Sequence, residues 1–385
     1  MHHICTLRPR DGRHARVTSE ELLFDLVYAF AATQISHGLL EHLTLLGFAQ
    51  TAVLWLAVWL GWQYTCWTTN WFDPRTPRIR ALLLTSMLLA LAMAAAIPES
   101  FGERGLVFAL CYAALQAGRT AFLVWELGRD HALAPNHRRM LGWLLISAAL
   151  WITGGLLEGS TRLACWAAAA LVEYVAPMFG FALPGMGRSV TRDWTIDGGH
   201  LAERCQCFVI VALGEALLSS AGLFSAAPAW SAPVTGALLA TFVGMLALWW
   251  LYFGTSSEHA SEVIGRSGDP GRIGAYFHYA HAILIAGIIG SAVGNDLVLT
   301  APGAVQSTAQ HAVLIGGPLV YLLGSAVYKR VVYGRAPASH LAGAAALLVL
   351  GTATRQADML VLSSLTTAIL LAVCAWDTWL APMTP

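Results

Sequence analysis

Apolar stretches of about 17 to 26 residues follow one another along almost the whole chain, broken only by short polar connections. A hydrocarbon layer roughly 30 Å thick is crossed by about 20 apolar helical residues, so runs of this length predict membrane-spanning α-helices. The pattern places them at 20–46, 49–72, 79–97, 105–127, 141–157, 161–183, 200–222, 233–254, 274–299, 312–331, 339–354 and 359–380. The expected fold class is all-α, a polytopic transmembrane helix bundle of about 12 spans.

Charge along the connections gives an orientation. Arg8, Arg10, Arg13 and Arg16 open the chain. Arg75, Arg78 and Arg80 follow the second segment, Arg129, Arg138 and Arg139 the fourth, Arg188 and Arg192 the sixth, Arg266 and Arg272 the eighth, and Lys329, Arg330 and Arg335 the tenth. All fall on the side of the N-terminal tail, against Arg104, Arg162 and Arg355 on the other. Basic residues collect on the cytoplasmic face, which puts both termini there. The first 18 residues lack an apolar core and a small-residue cleavage site, and read as a basic tail.

Composition narrows the class. With 57% hydrophobic and 11% charged residues and a mean hydropathy of +0.62, the chain is too apolar for a soluble domain of 385 residues. Its 22 basic and 22 acidic residues cancel, so no global field points to nucleic acid. Cys5, Cys66, Cys111, Cys165, Cys205, Cys207 and Cys374 form neither a disulfide framework nor a paired zinc pattern, and read as small packing residues.

The segments divide into two related halves. Glu21 opens the first span and Trp71-Phe72-Asp73 closes the second; Glu203 opens the seventh and Tyr252-Phe253-Gly254 closes the eighth at nearly the same spacing. Six spans per half is an even number, so the repeats would be parallel. The resulting organisation is a tail over 1–18, a first six-helix half over 19–183, a linker over 184–199 and a second half over 200–385.

Polar side chains inside apolar runs are costly and therefore informative. At helical spacing Glu21, Asp25, Tyr28, Ala32 and Ser36 form one stripe of the first span, and Gln34, His37 and Glu41 another. Asp25 lies about a turn inside the boundary and needs a partner or a proton; the plainer reading is that Glu21 and Asp25 cap and anchor the helix. His200, Glu203 and Arg204 open the seventh span, where Glu203 and Arg204 can act as cap and snorkelling cation. Glu215 follows 12 residues after Glu203, about 18 Å deeper, where a carboxyl can carry a proton or bond a neighbouring helix; Gly214 beside it would let helices approach. Glu173, Arg119, Asn70, Asp73, His278 and His281 complete the set. A metal held by His278 and His281 with His200 and Glu203 is the less favoured reading, and neither metal nor cofactor is expected. Most of the 15 tryptophans should form interfacial belts, whereas Trp62, Tyr64 and Trp67 lie deep enough to line a cavity. Pro177 predicts a kink. Soluble catalytic motifs are absent.

These residues resemble the bacterial low temperature requirement A (LtrA) family. The resemblance rests on Glu21-Leu22-x-Phe24-Asp25-Leu26-Val27 with Phe30, Thr33, Gln34, Ser36 and His37, on Tyr64-Thr65 and Asn70-Trp71-Phe72-Asp73, and on His200-x-x-Glu203-Arg204 with Phe208-Val209-Ile210 and Leu213-Gly214-Glu215. Trp249-Trp250-Leu251-Tyr252-Phe253 and Tyr276-x-His278 extend it, so the blocks run from about residue 18 to 330. Two departures stand out: Gly254 where the family pattern has Asp, and Cys205-Gln206-Cys207 in place of apolar and glycine residues. The family implies a multi-pass protein of the inner (plasma) membrane but no established chemistry. A weaker likeness, Phe24 and Asp25 with Val27, Ala31 and Thr33, is similar to the first-helix motif of a potassium-channel family built from two six-helix repeats.

Three functions fit. The leading one is a transporter or channel-like protein whose cavity is lined by Glu21, Asp25, Gln34, His37, Trp62, Tyr64, Asn70, Asp73, His200, Glu203, Arg204, Glu215, Tyr276 and His278. The second is a membrane-embedded acid-catalysed enzyme on a lipid or isoprenoid, such as a terpene cyclase, with Glu215, Asp25 or Asp73 as the acid. The third is a scaffold in which buried acids fix helix packing. The partners expected are membrane lipid and a small molecule or ion, with no nucleic acid; assembly into a homo-oligomer stays open.

Overall fold

The computed structural model of the chain describes residues 6–10, 15–254, 263–264 and 267–380. Cys5, Arg13 and Arg266, used in the sequence reading, lie outside the described residues. Every predicted segment is occupied by a helix: α1 Ser19–Glu41, α2 Leu45–Trp71, α3 Pro77–Ala96, α4 Gly105–Leu127, α5 Ala134–Leu156, α6 Gly159–Met178, α7 Gly198–Ala226, α8 Ala232–Gly254, α9 Pro270–Thr300, α10 Thr308–Tyr333, α11 Ala338–Ala353 and α12 Met359–Ala375. Among the described residues the extended chain forms only isolated bridges, such as Leu7 with Phe72.

Nine of these helices, all but α1, α6 and α11, are long and apolar enough to cross a bilayer. The exceptions have physical reasons. α1 carries Glu20, Glu21, Asp25 and Glu41, α6 carries Arg162 and Glu173, and α11 has 16 residues, about 24 Å of helix.

Helix ends follow local chemistry. Ser307 and Gln310 form a reciprocal capping box at the start of α10, and Gly334, at φ 74°, ends it in the left-handed conformation. The Asp358 carboxylate accepts the Val361 N–H at 2.7 Å to start α12. α5 begins at Ala134, earlier than hydropathy places it, because its polar first turn is not exposed to lipid: His137 is buried and its ring meets Trp71 edge-on at 5.4 Å. α6 ends at Met178, one residue past Pro177, and the chain turns at Gly180 with φ 63°; the expected kink is a stop.

Two compact units form, the first from 1–38, 45–204 and 267–272 and the second from 39–44, 205–266 and 273–385. In the first, α5 packs on α4 and α6, α3 on α4, and α2 on α6. α2 is enclosed over nearly all of Val53–Trp71, so its alternation of faces disappears. Trp55, Trp59, Trp62, Trp67, Trp71, Trp151, Trp166 and Trp194, eight of the 15, are buried in the protein, which corrects the expectation that most tryptophans form belts. Trp59 and Trp62 pair at 4.8 Å, and Trp151 meets Tyr112 edge-on at 4.9 Å and Trp166 at a tilt at 5.5 Å. Arg162 is also no surface cation: it is buried and donates to the carbonyls of Ser100, Gly102, Gly154 and Leu157, tying two helix ends.

In the second unit α12 packs on α8, α10 and α11, and α10 on α11. α9 and α10 meet backbone to backbone. A Cβ at Gly287 would overlap the Tyr321 nitrogen, and one at Gly317 would lie 2.5 Å from the Ser291 nitrogen. Small residues at such crossings maximise contact where lipid supplies no hydrophobic drive. Three π-turns, Ala114–Gly118, Trp250–Gly254 and Trp376–Leu380, each hold a buried polar residue: Gln116, Tyr252 and Asp377.

Candidate functional site

The predicted stripe of α1 is its buried face. Glu21, Asp25, Tyr28, Ala32 and Ser36 are all buried, whereas Gln34 is partly exposed and His37 and Glu41 are exposed. Helical periodicity alone thus separates the two sets, and only the first reaches the interior of its unit.

Glu21 is fully engaged. Its Oε2 accepts from Arg8 Nη2 at 2.9 Å and from the Thr18 N–H and hydroxyl at 2.9 and 3.0 Å, and its Oε1 lies 2.7 Å from His200 Nε2. Arg8 reaches this depth because Thr6–Arg8 pairs with the end of α2: the Arg8 N–H donates to the Trp71 carbonyl at 2.9 Å and the Asp73 N–H to the Thr6 carbonyl at 2.8 Å. The basic tail thereby supplies a buried cation.

Asn70 and Asp197 orient His200. Asn70 Oδ1 accepts from Arg10 and from the Asp197 N–H, both at 3.0 Å, which leaves its Nδ2 to donate to the Asp197 carbonyl at 2.9 Å and to His200 Nδ1 at 3.1 Å. An Nδ1 that accepts assigns the proton to Nε2, which donates to Glu21. Asp197 also caps α7, accepting the His200 N–H at 3.0 Å. Glu203 is partly exposed and accepts the Val17 N–H at 3.2 Å, binding the chain before α1 rather than joining the buried charges.

One turn deeper, Asp25 Oδ1 accepts from Arg204 Nη2 and from the Trp62 indole N–H, both at 2.7 Å. Arg204 Nη2 also lies 3.4 Å from Cys66 Sγ, and its guanidinium stands 5.7 Å from the Trp62 ring centroid. Both charged groups are buried. Asp25 Oδ2 and Arg204 Nε and Nη1 have no hydrogen-bond partner among the described residues. Such atoms are costly in a protein interior and call for a ligand, a water or a proton.

Asp73 does not belong to this group. It follows the end of α2 and binds Arg75 through both oxygens, at 2.9 Å and 2.7 Å. Burial pushes its carboxyl up, but the Arg75 hydrogen bonds and charge outweigh that and hold it below the ordinary range. Tyr64 is buried, with the Arg119 guanidinium 5.7 Å from its ring centroid.

The remaining predicted residues belong to the second unit. Glu215 is partly exposed, and a Cβ on Gly214 would meet nothing within 4 Å, so this stretch of α7 lacks the close helix contact expected of it. Tyr276 is 52% exposed and lines no buried site. His278 is buried with Nδ1 2.9 Å from the Gly274 carbonyl; His281 uses both ring nitrogens, on the Phe277 carbonyl and the Tyr252 hydroxyl.

Among the described residues three buried carboxylates escaped the sequence reading as site groups: Glu173, Asp377 and Asp296, which accepts from the Ser219 hydroxyl at 3.0 Å. Glu173 receives four donors: Ser147 Oγ and Trp151 Nε1 (2.9 Å) on one oxygen, Tyr112 Oη (2.5 Å) and Gln116 Nε2 (3.1 Å) on the other. Asp377 pairs with Lys329 at 2.5 Å and accepts from Ser339, with His340 Nδ1 3.6 Å away. Lys329 is therefore a buried partner and not a connection cation. Opposite charges inside two apolar runs, Lys329 in 312–331 and Asp377 in 359–380, are the signal by which the sequence reading could have found it.

The family model for the bacterial low temperature requirement A protein (LtrA) matches residues 16–375. An uncharacterized protein of Rhizobium meliloti (strain 1021) is 35% identical over 379 residues, spanning 97% of this chain and 92% of its own length. With α1, the Glu21 and Asp25 partners and nearly all of the helices inside that match, the chain belongs to the bacterial low temperature requirement A family of membrane proteins.

Proposed function

We propose that the protein is a proton-exchanging membrane transporter or channel-like protein with Asp25 as the exchanging carboxylate. The observation that carries this is the contrast among buried acids. Glu21 and Glu173 each receive four hydrogen bonds spread over both oxygens, as a packing element in a dry interior must. Asp25 receives two, both on one oxygen, and faces an arginine that also keeps unused donors. A group held for stability alone would be saturated; one that trades partners keeps capacity in reserve. Arg204 holds the carboxylate in one state, and a proton on Oδ2 releases that hold in the other. On this reading Glu21, His200, Asn70 and Arg8 form the fixed wall that positions α1 and α7 around the exchanging pair. Twelve spans in two parallel halves, both termini cytoplasmic in the inner membrane, and lipid with a small ion or molecule as partners complete the proposal.

Purified protein in liposomes, loaded with a pH-sensitive dye and driven by a membrane potential, tests it. Wild type should carry protons and the Asp25→Asn/Arg204→Met double variant should not. Equal flux in the two preparations would remove Asp25 from the mechanism.

A further inference from the structure

We infer that the second unit holds a binding site for one small alkali cation, in a cavity among α8, α9, α10 and α12. The cavity opens about 30 Å³ to a water-sized molecule, room for one small ion. Gly244 and Gly294 leave the space by contributing no side chain, and Ser291, Asn295, Ser363, Thr366 and Thr367 supply its polar lining.

Hydrogen-bond direction decides what fits. The Ser291 hydroxyl donates to the Gly287 carbonyl at 2.8 Å, Thr366 to the Ser363 carbonyl at 2.8 Å, and Thr367 to the Ala240 carbonyl at 3.2 Å. Each proton is thus committed to helix backbone, and each oxygen retains lone pairs for the cavity. Pro318, inside α10 and on the cavity wall, has no N–H for the carbonyl of Leu314, which lines the same wall; that carbonyl is a further acceptor. Asn295 Nδ2 has no partner among the described residues, and an amide rotation presents Oδ1 in its place at no steric cost. An array of neutral oxygens whose hydroxyl protons are committed to backbone, or in Ser363 can rotate away, suits a hard monovalent cation better than an anion. Asp296, which follows Asn295 on α9, is buried and accepts from the Ser219 hydroxyl at 3.0 Å. The site does not depend on the Asp25–Arg204 pair, so it stands whether or not that pair exchanges protons.

Thermal unfolding of the purified full chain, followed by tryptophan fluorescence, tests the site in sodium, potassium and choline chloride at equal ionic strength. A saturable rise in Tm with sodium or potassium over choline is expected. Thr366→Val, which keeps shape and removes one ligand oxygen, should raise the half-saturating concentration about tenfold or more, Thr366→Ser should restore it, and Gly244→Ala, whose Cβ would sit 3.0 Å from Thr367 Oγ1, should weaken it independently. Asp25→Asn/Arg204→Met should titrate like wild type. Identical melting in all three salts, or unchanged titration by both Thr366→Val and Gly244→Ala, overturns the inference.

Discussion

Removing either half of the Asp25–Arg204 pair should be far more damaging than removing both. The side chains are 0% and 1% exposed and meet at 2.7 Å, so each single substitution strands a charge that water does not reach. At an effective dielectric near 20, unit charges about 4 Å apart interact by roughly 4 kcal/mol, and breaking buried pairs typically costs about 3–5 kcal/mol. Asp25→Asn and Arg204→Met should each fall in that range. In the double variant both charges are gone, the introduced asparagine still offers an oxygen to the Trp62 indole, and methionine fills much of the arginine stem's volume. Its loss should be within about 2 kcal/mol, giving a coupling of at least about 4 kcal/mol in the cycle. Detergent-to-denaturant unfolding of the four proteins provides the measurement. Additivity within about 0.5 kcal/mol would refute the view that the pair is one buried electrostatic unit.

Glu173→Leu should cost about 3 kcal/mol or more, because the buried Trp151 indole N–H loses its acceptor, Gln116 keeps only the Tyr112 hydroxyl, and Tyr112 and Ser147 can only partly reorient; the same unfolding assay reads it. Gly287→Val should separate α9 from α10 and lower stability by about 3 kcal/mol, since its Cβ would overlap Tyr321 backbone that cannot yield, whereas Gly214→Ala, in open space, should change little. Asp73 gives a pH dependence whose sign follows from its lowered folded pKa: the Arg75 contact stabilises fully above the unfolded value of about 3.8 and is lost as pH falls through the lower folded one. With Arg75 64% exposed the contribution should stay below about 1 kcal/mol, so Arg75→Ala should differ from wild type by that much at neutral pH and not at all once Asp73 is protonated.

Length and spacing of apolar runs carried the sequence a long way: they placed all of the helical segments, because backbone groups in a hydrocarbon must be satisfied within the segment itself. Periodicity on α1 likewise singled out Glu21 and Asp25 as an inward stripe, since the face of a helix is a local property. The partners of those acids are a different matter. His200 and Arg204 lie 179 residues away from Glu21 and Asp25, respectively, and Arg8 arrives from a polar tail that no hydropathy pattern would send inward. Lys329 with Asp377, the donor cage of Glu173, the stop after Pro177 and the half-open position of Glu215 were settled in the same way. Which charge meets which, and which oxygen is left over, depends on how separate helices rotate and pack. That is a sum of many long-range contacts, and a single helix does not record it.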